Sequence, residues 1–303
     1  MSTKAIAFES LSKVYPGGCG VHELTLHVEP GEVFGFIGPN GAGKSTAIRA
    51  LLGLSRPTGG AASVHGIDLA KDRDRKREAL AHVGYVPSEP GVYPGKTVAE
   101  TLAYLGGFHA ADTRALRAKL CERIDLDVTR RADELSLGNK KKLAIVAAMH
   151  HAPSVLVLDE PSSGLDPLVK HELFALLAEV AREGAAVFFS SHVISEVESV
   201  CDRFALLKEG RLAQLVRTQD LLREQPLRVR ATFADPTDSV LLSLTDARPN
   251  AAGELEWISR VELPALLQAL AQDTLAKRIT KVVLEHPSLE ELVLRQYAKE
   301  RAQ

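Results

Sequence analysis

Cysteine is scarce in this sequence. The 303-residue chain contains three cysteines, Cys19, Cys121 and Cys201. They are widely separated and show no spacing that is typical of a metal site or of a disulfide-stabilised domain. This usage of cysteine fits a reducing, intracellular environment.

Long hydrophobic runs are also absent. The longest apolar runs, such as LAIVAAM at residues 143–149, are far shorter than the roughly 20 residues that a membrane-spanning helix needs. The first residues, MSTKAIAFES, lack the apolar segment of a signal peptide. We therefore expect that, if the protein works at a membrane, another chain supplies the membrane-spanning part.

The charge balance does not favour nucleic acid as a partner. The formal net charge is −2, so no strong positive field surrounds the chain. Basic residues are concentrated locally, in KDRDRKRE at residues 71–78 and in NKKK at residues 139–142. We expect the first run to form a solvated helix face and most of the second run to face solvent.

Apolar runs that alternate with helical patterns indicate the fold class. Periodicity predicts buried strands at 32–38, 154–160 and 185–191, and helices at 43–54 and 167–183. This alternation is typical of a mostly parallel α/β sheet with crossover helices. By contrast, AIAFESLSKVY and ELTLHVEP near the N-terminus alternate like antiparallel, half-exposed strands.

A shift in composition after LLREQP at residues 221–226 indicates a second domain. We place the first domain at 1–222 and a small α+β domain at 223–303. The second domain is predicted to contain strands in LRVRATF, GELEWISRVE and ITKVVLE, a loop in ADPTD, and helices in PALLQALAQ and SLEELVLRQYAKE. It contains no nucleotide-binding motif.

The stretch GPNGAGKST matches the phosphate-binding loop G-x-x-x-x-G-K-[ST]. Its members are Gly38, Pro39, Asn40, Gly41, Ala42, Gly43, Lys44, Ser45 and Thr46. Glycines let the backbone wrap closely and direct its N–H groups at phosphate oxygens. Lys44 is expected to reach the β- and γ-phosphates and Ser45 to ligate Mg²⁺. A strand before the motif and a helix after it strengthen the prediction.

Two acidic residues end the next buried strand. VLVLDE at residues 155–160 places Asp159 at the carboxyl edge of the predicted sheet, where open α/β sheets bind ligands. We expect Asp159 to hold Mg²⁺ through water. Glu160 is then placed to polarise the attacking water as a general base.

In the order of these motifs, residues 4 to about 215 resemble the nucleotide-binding subunit of an ATP-binding cassette (ABC) transporter. The resemblance implies a cassette core that contains an antiparallel β subdomain and a helical subdomain at about 88–150. It also implies that Tyr15 stacks on the adenine of ATP and that Asp166, in SSGLD, lies at a dimer interface. His192, in SSHVISEVE, resembles the switch histidine that contacts the γ-phosphate.

The stretch LSLGN at residues 135–139 resembles the LSGGQ signature of the same family. By resemblance, Ser136 and Gly138 cap the γ-phosphate bound to the phosphate loop of a second subunit, most simply a second copy of this chain. Leu137 and Asn139 depart from the family pattern. Asn139 keeps an amide group but is one methylene shorter than glutamine.

Ser88, in GYVPSEPGVYP, is a further departure. The family usually has a glutamine here, which helps to ligate the metal and senses the membrane subunit. A serine side chain is too short to do this without a bridging water, although the neighbouring Glu89 could compensate. We therefore treat Ser88 as a candidate metal ligand whose sensing role is weakened.

The combined motifs, with a late PSLEEL at residues 287–292, resemble the exporter-type branch of the family. In that branch an ATPase dimer, bound to ATP and Mg²⁺ at the cytoplasmic face of the cell membrane, drives a separate helical permease. The cargo is often a drug, an antibiotic or a lipid-linked polymer. A soluble mechanical ABC-type ATPase remains the alternative, although the chain has no sustained heptads and only one phosphate loop.

Overall fold

The computed structural model of the protein describes residues 4–109, 112–218, 220, 227–233, 248–249, 254–259, 263–271 and 279–285, without the side chains of Arg73, Phe233, Arg248, Pro249, Ile258 and Ala269. The chain divides into two compact units, Met1–Thr218 and Gln219–Gln303. The boundary predicted after residue 222 lies outside the described residues.

A six-stranded sheet forms the centre of the first unit, in the order β5-β6-β7-β3-β8-β9. Its strands are β3 (Val33–Ile37), β5 (Val83–Val86), β6 (Val155–Asp159), β7 (Ala186–Ser191), β8 (Arg203–Lys208) and β9 (Arg211–Arg217). All neighbours pair in parallel except β8 and β9. The mostly parallel sheet predicted from the alternating pattern is confirmed, and the loops that follow β3, β6 and β7 meet at one edge.

A three-stranded antiparallel sheet lies in the same unit. Its order is β2-β1-β4, with β1 (Ile6–Val14), β2 (Gly20–Val28) and β4 (Gly59–Val64). The alternating pattern at the N-terminus predicted this antiparallel pair, because one face of each strand is buried and the other is partly exposed. Phe8 of β1 contacts Phe188 of β7, with ring centroids 5.8 Å apart, so the two sheets share one core.

Helices connect the strands of the first unit. They are α1 (Lys44–Leu51), α2 (Arg73–Leu80), α3 (Val98–Gly106), α4 (Arg114–Arg123), α5 (Leu137–Met149), α6 (Pro167–Arg182) and α7 (Ile194–Val200). The charged run at 71–78 lies mostly exposed on and before α2, as expected. No helix in the described ranges is long and apolar enough to cross a membrane.

Helices α3, α4 and α5 occupy the region where the helical subdomain is predicted. Thr97 and Glu100 form a reciprocal capping box at the start of α3, which satisfies two backbone donors of the first turn. Arg123, at the end of α4, forms ion pairs with Glu172 and Glu179 of α6. These ion pairs connect the helical region to α6, which packs on the central sheet.

The lysine run at the start of α5 is placed differently from the prediction. Lys141 is 1% exposed and Lys142 is 8% exposed, and Lys140 is half-buried. The expectation that most of this run faces solvent is therefore wrong. The reason is helical periodicity, because Lys141, Ile145 and Met149 share one face of α5 and that face is buried.

The second unit contains a four-stranded antiparallel sheet in the order β11-β12-β10-β13. Its described elements are β10 (Leu227–Phe233), β11 (Arg248–Pro249), β12 (Leu255–Ser259), α8 (Leu263–Leu270) and β13 (Ile279–Glu285). Leu227, Val229 and Leu266 form its buried core. The predicted loop ADPTD and the predicted C-terminal helix SLEELVLRQYAKE lie outside the described residues.

Candidate nucleotide-binding site

The phosphate loop connects β3 to α1, as the motif predicts. Gly43 caps α1 with a φ of 102°, a left-handed conformation that residues with a Cβ rarely adopt. A Cβ at this position would lie 2.6 Å from the carbonyl oxygen of Gly20. Glycine therefore allows the loop to turn into the helix, and the unpaired N–H groups of the first helical turn face the loop.

Lys44 lies inside the loop rather than above the protein surface. It is 5% exposed, and its ammonium group donates hydrogen bonds to the carbonyl oxygens of Gly38, at 2.6 Å, and Pro39, at 3.2 Å. Its Nζ also lies 3.4 Å from a carboxylate oxygen of Glu160. The ammonium group of Lys44 thus contacts both the phosphate loop and the acidic residue that follows β6.

A cavity of about 280 Å³ opens at the phosphate loop. It is lined by Tyr15, Cys19, Gly20, residues 40–46 and Glu160. Tyr15 is 40% exposed, so its ring offers a free face for an aromatic base, and the ammonium group of Lys13 lies 5.0 Å from the ring centroid. The cavity therefore combines a surface for stacking with a cradle of backbone N–H groups.

Asp159 lies at the carboxyl end of β6 and is 1% exposed. One carboxylate oxygen accepts a hydrogen bond of 2.8 Å from the hydroxyl of Ser190, at the end of the neighbouring strand β7. Burial, and then the charge of Asp159, raise the pKa of Tyr85 on β5. The Ser45 hydroxyl and the Asp159 carboxylate are hard oxygen donors of the kind that Mg²⁺ prefers, and so they fit this metal.

Glu160 follows β6 in an unusual backbone conformation. Its φ of 49° is left-handed, and its N–H donates to the carbonyl oxygen of Ser190 at 3.2 Å. The Glu160 carboxylate lies 3.2 Å from Nδ1 of His192, which is 46% exposed. Strained residues of this kind persist where the surrounding contacts determine their position, so the backbone holds this carboxylate between Lys44 and His192.

Lys141 contacts the backbone of Glu160. Its ammonium group donates to the carbonyl oxygen of Glu160 at 3.0 Å and to that of Pro87 at 3.2 Å. Burial lowers the pKa of Lys141, while the charges of Asp159, Glu160 and Glu89 act against that shift. Sequence reasoning missed this contact, although the spacing of Lys141 from Ile145 and Met149 could have placed it on the buried face.

Ser88 follows Pro87 just after β5. Its side chain is half-buried, and the neighbouring Glu89 is exposed. Neither is among the described residues that line the phosphate-loop cavity. The structure therefore connects this segment to Glu160 through Lys141, rather than through a direct contact of Ser88 with the cavity.

The signature segment lies apart from the phosphate loop of its own chain. Ser136 caps α5 by accepting a hydrogen bond of 3.4 Å from the N–H of Asn139. A Cβ at Gly138 would lie 2.6 Å from the carbonyl oxygen of Gly164, so the signature packs closely on the SSGLD segment. In the described part of the chain, no residue from 135–139 lines the cavity at the phosphate loop.

The SSGLD segment is fixed by two sets of hydrogen bonds. Asp166 caps α6 by accepting from the N–H of Val169 at 3.0 Å, and this contact lowers the pKa of Asp166. The buried carboxylate of Glu196 accepts from the hydroxyls of Ser162, at 2.7 Å, and Ser191, at 2.8 Å. Glu196 therefore joins this segment to the end of β7, next to His192, a link that the sequence did not predict.

Together, the parallel sheet, the glycine-rich loop and the acidic end of β6 define a phosphate-loop ATPase. The family model described as ABC transporter matches residues 21–163. The Nod factor export ATP-binding protein I of Paraburkholderia xenovorans strain LB400 is 38% identical over 216 residues, which are 70% of this chain and 70% of that protein. The chain therefore belongs to the family of ABC transporter ATP-binding subunits.

A second relative and a solved structure agree with this assignment. The bacitracin transport ATP-binding protein BcrA of Bacillus licheniformis is 33% identical over 245 residues, covering 80% of this chain and 79% of that protein. A solved structure of the ATP-binding subunit of an ABC transporter superposes with a TM-score of 0.67 at 30% identity. The similarity covers 72% of this chain and 92% of that structure, so the predicted cassette fold is confirmed.

Proposed function

We propose that this chain is the motor subunit of an exporter. In this proposal two copies enclose two Mg-ATP molecules, hydrolyse them and drive a separate helical permease at the cytoplasmic face of the membrane. The main observation in favour of ATP hydrolysis is the position of Glu160. The backbone holds its carboxylate between Lys44 and His192. The export and transport named for the two relatives support a cargo such as a drug, an antibiotic or a lipid-linked molecule.

The catalytic roles follow from these contacts. Lys44 moves from the loop carbonyls to the β- and γ-phosphates when ATP enters, since phosphate oxygens are stronger acceptors for its charge. Glu160 accepts a proton from the attacking water, and His192 orients the carboxylate and contacts the γ-phosphate. Ser45, and Asp159 through water, would hold Mg²⁺, which would supply charge neutralisation at the phosphate oxygens.

Exposed residues around the signature support pairing with a second cassette. Leu137, within the signature, is 55% exposed, and Leu168, just after the SSGLD segment, is 83% exposed. These two segments already contact each other through Gly138 and Gly164. A second copy that covers this surface places its phosphate loop against Ser136 and Gly138, which completes both ATP sites.

An exposed aromatic patch supports a permease partner. The patch consists of Tyr93, Tyr104 and Phe108, which are 45%, 57% and 69% exposed. Their rings contact edge to face, with centroids 5.4 Å and 5.1 Å apart. The patch begins in segment 84–100, whose Pro87 is linked to Glu160 through Lys141, so a permease helix that binds the patch can influence the hydrolytic site.

Replacement of Glu160 by glutamine tests the proposed function. The variant keeps the shape of the side chain but cannot take the proton from water, so it should bind Mg-ATP and hydrolyse it at least a hundredfold more slowly. Dimers should then accumulate, which light scattering with and without ATP measures. Ordinary turnover would contradict the general-base role, and a persistent monomer would contradict the proposed self-pairing.

A further inference from the structure

Three histidines cluster at the far end of α5 from the signature. His150 is the C-terminal cap of α5, His151 follows it, and His109 lies just after α3. Each offers a ring nitrogen, and these atoms lie within 4.8 Å of one another. The rings of His109 and His151 stack at 3.9 Å between centroids, and His150 contacts both edge-on, at 5.5 Å.

Three ring nitrogens of this cluster lack hydrogen-bond partners. Nε2 of His150 and both ring nitrogens of His151 are buried with no partner within the described part of the chain. The carbonyl oxygen of Val83 faces the His151 ring, but it does not reach hydrogen-bond geometry with either nitrogen. Buried polar atoms without partners are uncommon and carry a desolvation cost, so they indicate a ligand.

His150 is already in the tautomer that binds metals. Its Nδ1 lies 3.2 Å from the carbonyl oxygen of Val146, and because a carbonyl can only accept, the proton is on Nδ1. The lone pair of Nε2 is therefore available, and His150 is 1% exposed. Metal-binding histidines commonly fix their tautomer through such a carbonyl contact.

The surroundings keep the imidazoles neutral, which is the form whose ring nitrogens can bind a metal ion. Burial lowers the pKa of all three histidines, that of His151 to about 4. The C-terminal ends of α3 and α5 meet here, and helix C-termini carry partial negative charge. The opposing charge is Arg117, whose guanidinium donates to the carbonyl oxygen of Leu102 at 3.0 Å.

We propose that His109, His150 and His151 form a binding site for a divalent transition-metal ion, of which Zn²⁺ is the representative. Imidazole suits Zn²⁺, and three histidines with one water complete a tetrahedral site. Zinc–nitrogen bonds of about 2.0 Å set the nitrogens roughly 3.4 Å apart, so nitrogens that lie up to 4.8 Å apart must approach by as much as ~1.4 Å. His109 turns out of its stack with His151 to do so, and the ion then joins the end of α3 to the end of α5.

Zinc titration of the untagged, full-length chain tests the site. The protein is stripped with a chelator, kept free of nucleotide because ATP binds metals, and titrated with ZnCl₂ against a chromophoric chelator. We expect one equivalent to bind with a dissociation constant below about 10 µM. We also expect Co²⁺ to give the visible bands of a four-coordinate nitrogen and oxygen site, without a thiolate charge-transfer band.

Single substitutions assign the ligands. His109→Ala and His151→Asn should each weaken Zn²⁺ binding at least tenfold, and these partly exposed positions tolerate substitution better than the buried His150. His171→Ala, at an exposed position in α6, is the matched control and should bind like wild type. Failure to bind Zn²⁺, unchanged affinity in both cluster variants, or a thiolate band from Co²⁺ would each overturn the proposal.

Discussion

The ammonium group of Lys141 lies 3.0 Å from the carbonyl oxygen of Glu160. Lys141 lies two residues after the signature, and the same group donates to the carbonyl oxygen of Pro87, in the segment 84–100 where the aromatic patch begins. A buried side chain in the helical region thus bonds to the backbone of the proposed general base. Movement of segment 84–100 can therefore influence Glu160 through the two hydrogen bonds of Lys141.

Lys141→Met should separate hydrolysis from binding. The methionine keeps most of the side-chain volume but removes the ammonium donor from the Pro87 carbonyl and leaves the Glu160 carbonyl with the N–H of Ser163 at 3.4 Å, which costs roughly 1–3 kcal/mol of unfolding free energy. We expect ATPase activity to fall at least tenfold, a barrier increase of ~1.4 kcal/mol, while nucleotide affinity changes less than about threefold. Phosphate release, nucleotide titration and thermal unfolding measure the three effects.

The neighbouring lysine gives the control for this prediction. Lys140 is half-buried in the same turn of α5, and Lys140→Met should leave both turnover and affinity close to those of wild type. Equal losses in the two variants would indicate a general requirement for positive charge at the start of α5. Wild-type turnover in Lys141→Met would show that Glu160 does not depend on this contact.

Lys44→Ala should abolish ATP hydrolysis and weaken nucleotide binding. The substitution removes the cation that faces the β- and γ-phosphates in the proposed complex. Phosphate release and nucleotide affinity of the purified protein provide the measurement. Lys71→Ala, in an exposed ion pair with Asp68, is the control and should have little effect, since such surface pairs contribute little. Turnover within a few-fold of wild type in Lys44→Ala would refute the assigned site.

Ser88→Gln should raise basal hydrolysis and lower the stimulation by the permease. By the family resemblance, the glutamine would restore the amide expected at the metal, whereas Ser88 would need a bridging water. ATPase rates of wild type and variant, each with and without the permease in lipid, form a paired test. Unchanged rates in both settings would mean that position 88 has no part in metal sensing.

Tyr104→Ser should weaken coupling without weakening catalysis. Tyr104 contacts both Tyr93 and Phe108 at the centre of the aromatic patch, so its loss removes apolar area that a permease helix would cover. We expect basal ATPase activity within about twofold of wild type and permease stimulation reduced at least threefold. Leu54→Ser changes a residue that is 64% exposed elsewhere and should preserve stimulation, whereas equal effects would argue against the patch as the docking surface.

The sequence alone determined the features that are local along the chain. The glycine spacing at 38–46, the strand before it and the helix after it are neighbours in sequence, and their conformations follow from short-range sterics and hydrophobic periodicity. The paired acids at the end of β6, Asp159 and Glu160, were predictable for the same reason. The roles of these residues in catalysis stay predictions, to be tested by the variants above.

Tertiary structure decided which distant residues share contacts. Lys141 and Glu160, Ser162 and Glu196, and His109 and His150 are far apart in sequence, and only the packing of helices on the sheet brings them together. Because charged residues are usually exposed, the sequence predicted that Lys141 faces solvent. In the structure, hydrogen bonds to the carbonyls of Pro87 and Glu160 compensate its burial. These hydrogen-bond partners are distant from Lys141 in sequence, so periodicity and motif spacing could not identify them.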